Sequence, residues 1–67
     1  MESVFVEKLA TLGHPQRLAV FRMLVRRFPD AVPAGEIGAA LGLKPSTLSV
    51  HLATLERAGL IAARRDG

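Results

Sequence analysis

Apolar positions recur at helical spacing in four separate stretches of the chain. Leu48, Leu52 and Leu55 fall at i, i+4 and i+7, a single stripe on one helix face. Pro45 suits the first turn of that helix, where its missing N–H is no loss, and Gly59 suits the position just past the end. The spacing therefore predicts a helix over 45–58, its outer face opened by Ser46, Thr47, Ser49 and Val50, none of them bulky. Before it, a short helix over 33–41 turns Ile37 and Leu41 inward, and Gly42-Leu43-Lys44 links the two. Further upstream Pro15 opens a helix reading Gln16 to Phe28, with Leu18, Phe21, Val25 and Phe28 as its stripe, Leu24 beside it and arginines outside. The first helix, Glu2 to Leu12, sets Phe5, Leu9 and Leu12 on one side with Val4 and Val6 flanking them. That is more apolar surface than one side of a core needs, so this helix is expected to serve both the core and a contact between copies. Gly13-His14 and Pro29-Asp30 break the pattern, the latter leading into a loop up to Val32.

A short helix, a three-residue turn opened by glycine and a longer second helix form the helix-turn-helix signature. Gly42 is expected in the left-handed conformation that reverses the chain, with Leu43 filling the space between the two helices. Ala39 and Ala40 are small, as a close crossing near the turn requires. A helix start lined by small polar side chains can enter the DNA major groove and offer hydroxyls and backbone N–H groups to phosphates and base edges. The same stripe with serines on its solvent face also suits any small helical bundle. After Gly59, Leu60-Ile61-Ala62-Ala63-Arg64-Arg65 reads as a short strand running into Asp66-Gly67, a hairpin-turn dipeptide. Only the first strand of such a hairpin falls within the chain.

Sixty-seven residues allow one domain, 1–67. A domain this small buries only about 60% of the surface that its unfolded chain exposes. Yet 49% of the residues are hydrophobic and the mean hydropathy is +0.28, with no cysteine to supply a disulfide staple. We expect a second copy of the chain, in a homodimer, to cover part of that apolar surface. The two histidines, His14 and His51, lie far apart in sequence and give no structural zinc spacing. No apolar run approaches a membrane span, and Met1-Glu2-Ser3-Val4 lacks the basic start of a secretory signal, so the expected compartment is the cytoplasm. The net charge of +3 permits nucleic-acid binding, but the densest basic segment is 14–28, with Arg17, Arg22, Arg26 and Arg27.

Three stretches, Leu12-Gly13-His14-Pro15-Gln16-Arg17-Leu18-Ala19-Val20, Gly35-Glu36-Ile37-Gly38-Ala39-Ala40-Leu41-Gly42-Leu43 and Ser46-Thr47-Leu48-Ser49-Val50-His51-Leu52, carry a family likeness. Together they resemble the ArsR/SmtB family of winged helix-turn-helix repressors. Ala58-Gly59-Leu60-Ile61 and Arg64-Arg65-Asp66-Gly67 complete the match, in order, over essentially the whole chain. The resemblance implies a mainly α fold, a winged helix-turn-helix of four helices plus the first wing strand, lacking the family's second wing strand and C-terminal helix. It implies a dimeric transcriptional repressor that binds double-stranded DNA with helix 45–58 in the major groove. Carried over position by position, it implies DNA contacts from Ser46, Thr47, Ser49, Val50 and His51, a phosphate contact from Lys44, and wing contacts from Arg64 and Arg65.

For several of these residues a plainer role stands beside the DNA contact. Ser46 and Thr47 suit plain helix capping and solvation, His51 suits packing beside Leu48 and Leu55, and Arg64 and Arg65 suit a solvated strand end. Val50 stands where the family commonly has a polar residue; it can touch a thymine methyl but cannot hydrogen-bond a base. No Arg, Asn or Gln occupies the first exposed turns of this helix to pair a base twice, which predicts modest specificity resting on phosphates, DNA shape and half-site spacing.

Family members that sense soft metal ions use cysteine thiolates, often a Cys-x-Cys pair early in the helix before the turn. Here that neighbourhood reads Val32-Pro33-Ala34-Gly35-Glu36, so thiolate sensing is excluded for these residues and no metal or cofactor is expected. With no nucleophile–base pairing and no phosphate loop, an enzyme is not expected either. The rival reading is a winged-helix protein-interaction module that binds no DNA.

Overall fold

The computed structural model describes residues 2–62, and within them the chain forms α1 (Glu2–Thr11), α2 (Pro15–Arg27), α3 (Ala34–Leu41) and α4 (Pro45–Arg57). Pro15 and Pro45 sit in the first turns of α2 and α4, where a residue without an N–H removes no hydrogen bond. Helix α3 stops at Gly42, which adopts φ +66°, and the Leu43 N–H reaches back to the Gly38 carbonyl at 2.9 Å. Gly59 ends α4 in the same way, with the Leu60 N–H donating to the Leu55 carbonyl at 3.0 Å.

No atom outside its neighbours lies within 4 Å of a β-carbon built on Gly42, so only the backbone angle opposes a side chain there. Gly42→Ala is therefore expected to cost about 1–2 kcal/mol, read as a lower urea midpoint with an unchanged slope. A midpoint equal to that of the parent would show that the turn tolerates another conformation.

The core is built by α2, α3 and α4, which bring Val20, Ile37, Leu48 and Leu55 together out of solvent. Leu24, Leu41, Leu43, Leu52 and Ile61 close around them. The Leu48-Leu52-Leu55 stripe and the inward Ile37 and Leu41 lie as the spacing predicts. Helix α2 does not. Its regular stripe runs along a face that ends in solvent, where Val25 is 55% and Phe28 80% exposed, while the fully buried residue is Val20. The helix is apolar on more than one side: Val20 is fully buried, and Phe21, Met23 and Leu24 pack against the shared core beside it.

The tight crossing also falls one residue from its expected place. Ala39 and Ala40 are exposed, whereas a β-carbon on Gly38 would stand 3.1 Å from the Leu43 carbonyl oxygen and 3.8 Å from Leu48 Cδ2. Gly38 is what lets the turn fold down against α3.

Helix α1 leaves Val4, Phe5, Val6 and Leu9 largely exposed. Only Leu12, just past its end, packs against the core, so the expected double role of Phe5 and Leu9 is not met within one chain. No strand is present among the described residues, and the expected wing strand is corrected to that extent: residues 60–62 run without a strand partner, and a strand exists only as part of a ladder. Leu60 and Ile61 instead fold partly onto the core. The remainder of the expected strand, with Arg64 and Arg65, lies outside the described residues. Among the described residues no helix is long and apolar enough to cross a membrane.

Candidate nucleic-acid interface

Lys44 precedes α4 in an extended conformation (φ −67°, ψ 148°), with no side-chain hydrogen bond capping the helix. The first intrahelical amide to find a carbonyl is that of Leu48, which donates to Lys44 at 2.9 Å. Pro45 has no N–H, so Ser46 and Thr47 carry the first-turn amides that an α-helix leaves without internal acceptors. Those amides and the positive end of the helix dipole make this terminus receptive to a negative oxygen. The cap position belongs to Lys44, so of the plainer roles considered for Ser46 and Thr47 solvation stands and capping does not.

Helical geometry then sorts the candidates. Lys44, Ser46, Ser49 and Val50 are exposed, and Thr47 is half-buried on the flank. The exposed face continues through Ala53 to Arg57, spaced from Ser46 and Val50 by whole turns. Arg57 was missed as a candidate although the same periodicity that located the buried stripe points to it. A crease between α3 and α4 borders this face, lined by Gly35, Ala39, Lys44 and Ser49 among others. Its rim is formed largely by small residues and by the flexible Lys44, with Leu43, Pro45 and Leu48 also lining it.

His51 is the exception among the candidates on α4. It is only 5% exposed, and its face of the helix turns toward α2 with Leu48 and Leu55. Its Nε2 lies 3.3 Å from Gln16 Oε1, and its ring stands 4.8 Å from that of His14, tilted by 57°. The direct DNA contact implied for His51 is thereby corrected: the helical repeat that exposes Val50 carries the next residue inward. The fold has brought together two histidines that the sequence separates. Burial first, then the neighbouring charges of His14 and Arg17, hold the His51 imidazole below its ordinary value of 6.5.

Two further contacts hold the frame. The Arg17 guanidinium donates to the Thr11 carbonyl at 3.2 Å, tying the start of α2 to the end of α1. Arg27 of α2 pairs with Glu36 of α3. Both of the latter side chains are substantially exposed, so their pairing contributes no more than about 1 kcal/mol. Among the described residues, no group of three or more His, Cys, Asp or Glu side chains could hold a metal ion.

Residues 12–64 match the helix-turn-helix domain family. Two relatives, both named as uncharacterized HTH-type transcriptional regulators, come from Mycobacterium tuberculosis strains CDC 1551 / Oshkosh and H37Rv. Each is 43% identical over 61 residues, which is 91% of this chain and 52% of the relative. The chain thus spans about half the length of these relatives. With the match running from the end of α1 through α4, this chain belongs to the helix-turn-helix domain family.

Proposed function

We propose that this domain is a DNA-binding transcriptional regulator, and more narrowly a dimeric repressor of the ArsR/SmtB type that sets α4 in the major groove. The observation that carries the reading is the start of α4, where the exposed Ser46, Ser49 and Val50 accompany the first-turn amides of Ser46 and Thr47, which a helix leaves without internal acceptors. Lys44 and Arg57 put a positive charge at each end of that face. The relatives' designation as transcriptional regulators supports the same reading. Dimerisation is supported by the apolar row on α1, whose burial against a second copy would remove Val4, Phe5 and Leu9 from water. The role is one of binding, not catalysis.

Titration of fluorescent duplex DNA at several salt concentrations, with association state followed in parallel, tests this function. Counterion release predicts a steep fall in affinity with salt, at two chains per duplex. Alanine at both Arg64 and Arg65 is expected to flatten the salt slope by roughly one to two phosphate contacts. An unchanged slope would remove these two arginines from the interface.

The exposed apolar row on α1 also favours a second reading, a protein-interaction module without DNA binding. That reading predicts a folded, self-associating chain with no salt-dependent affinity for duplex.

A further inference from the structure

The contact between α4 and the head of α2 has a chemistry that DNA recognition leaves unused. His51 is buried in α4, directly beneath two exposed residues, His14 and Gln16. Gln16 Oε1 can only accept, so the 3.3 Å contact requires His51 Nε2 to carry the proton. Nδ1 then holds the lone pair of a neutral ring. This atom is buried and has no hydrogen-bond partner among the described residues, and the same is true of Arg17 Nε.

A second proton on His51 would have to go onto Nδ1. It would create a buried N–H without an acceptor and a buried cation beside the Arg17 guanidinium. The groups acting on the ring from the head of α2 are His14 and Arg17, and no carboxylate is among them. From α3 the sole ionisable side chain is Glu36, which is engaged by Arg27. On α4 itself the acidic residue is Glu56, exposed in the last turns of the helix.

We propose that His51, seated between Gln16 and His14, is a proton-sensitive latch that holds α4 against α2 when neutral and loosens it when protonated. The inference rests on reading α4 as the DNA-contacting helix, because loosening that helix is what would couple acidity to DNA release.

The sign follows from linkage. In the unfolded chain the imidazole takes up a proton near its ordinary value, whereas in the folded domain it does so only at lower pH. The unfolded state therefore binds more protons in that interval. The latch's contribution is complete above about pH 6.5 and declines as pH falls toward the folded-state value. The folding equilibrium constant is expected to drop about tenfold for each pH unit separating the two midpoints.

The test follows the His51 imidazole by NMR, chemical unfolding without DNA, and duplex binding, all from about pH 7.5 to about pH 5.5, the interval dominated by histidine titration. We expect His51 to titrate below its ordinary value, with stability and DNA affinity falling together. In His51→Gln, where the amide can still donate to Gln16, the acid-dependent fall should be reduced. Should that variant not fold, His14→Gln leaves the latch in place and removes one repelling neighbour. There the His51 midpoint should rise and the acid loss should shrink.

An ordinary His51 midpoint would overturn the latch, as would an acid loss undiminished in a folded His51→Gln. So would DNA affinity that stays constant while His51 takes up its proton. Loss of stability on His51 protonation in a chain that binds no DNA at neutral pH would support the latch while refuting the DNA-binding reading.

Discussion

Leu55→Ala is expected to remove most of the domain's stability. Leu55 is fully buried in the centre of the contact between α4 and the other helices, alongside Val20, Ile37 and Leu48. Truncation there forfeits the transfer free energy of the lost methyl groups and leaves a cavity that packed neighbours only partly fill, about 2–5 kcal/mol together. A single core in a domain this small rarely supplies more than about 3–5 kcal/mol. The variant should therefore be largely unfolded at room temperature or melt in a broad, early transition by circular dichroism. Leu55→Met, which conserves volume, should lose less than about 1.5 kcal/mol. A Leu55→Ala domain with a near-parental melting curve would mean that the core is organised around other residues.

Ser49→Glu should do the opposite, sparing the fold and disabling the interface. Ser49 is exposed in the first half of α4 and lines the open crease beside Lys44. A carboxylate there faces the amide-rich end of its own helix, which favours negative charge, so stability should change by no more than about 0.5 kcal/mol. Facing a phosphate backbone, the same charge is repelled. Like-charge opposition at an interface is unfavourable, and at this open, partly solvated position a cost of about 1.4–2.8 kcal/mol is expected, so duplex binding should weaken by roughly 10- to 100-fold. The measurement is DNA affinity at fixed salt beside a urea unfolding curve. Undiminished affinity in the folded variant would take the start of α4 out of the DNA interface.

The two variants probe parts of α4 that were legible to different degrees. The buried stripe of Leu48, Leu52 and Leu55 was readable because a single apolar face has one way to turn. The turn was readable for a similar reason: Gly42 supplies a backbone angle that other residues resist, and Pro45 marks the first turn that follows. Helix α2 was not readable in this way. With apolar side chains on several faces, its most regular stripe ran along the side that ends in exposed Val25 and Phe28, and Val20 was overlooked. On the outer face of α4, Ser46, Ser49 and Val50 are exposed as expected, but Arg57 lies on that face with them and His51 is buried.

Local chemistry along the chain was thus enough to specify the helices, their breaks and the helix-turn-helix order, because prolines, glycines and apolar spacing act over only a few residues. Which face of α2 meets α4, which glycine admits the turn, and whether His51 faces a neighbour or solvent were decided only when the helices packed. Those outcomes depend on close approach between distant segments. The Gly38 contact with Leu43, the shared core of Val20 and Leu55, and the meeting of His14 with His51 have no local signature. Burial is a property of the assembled interior, and periodicity supplies only the candidates from which packing selects.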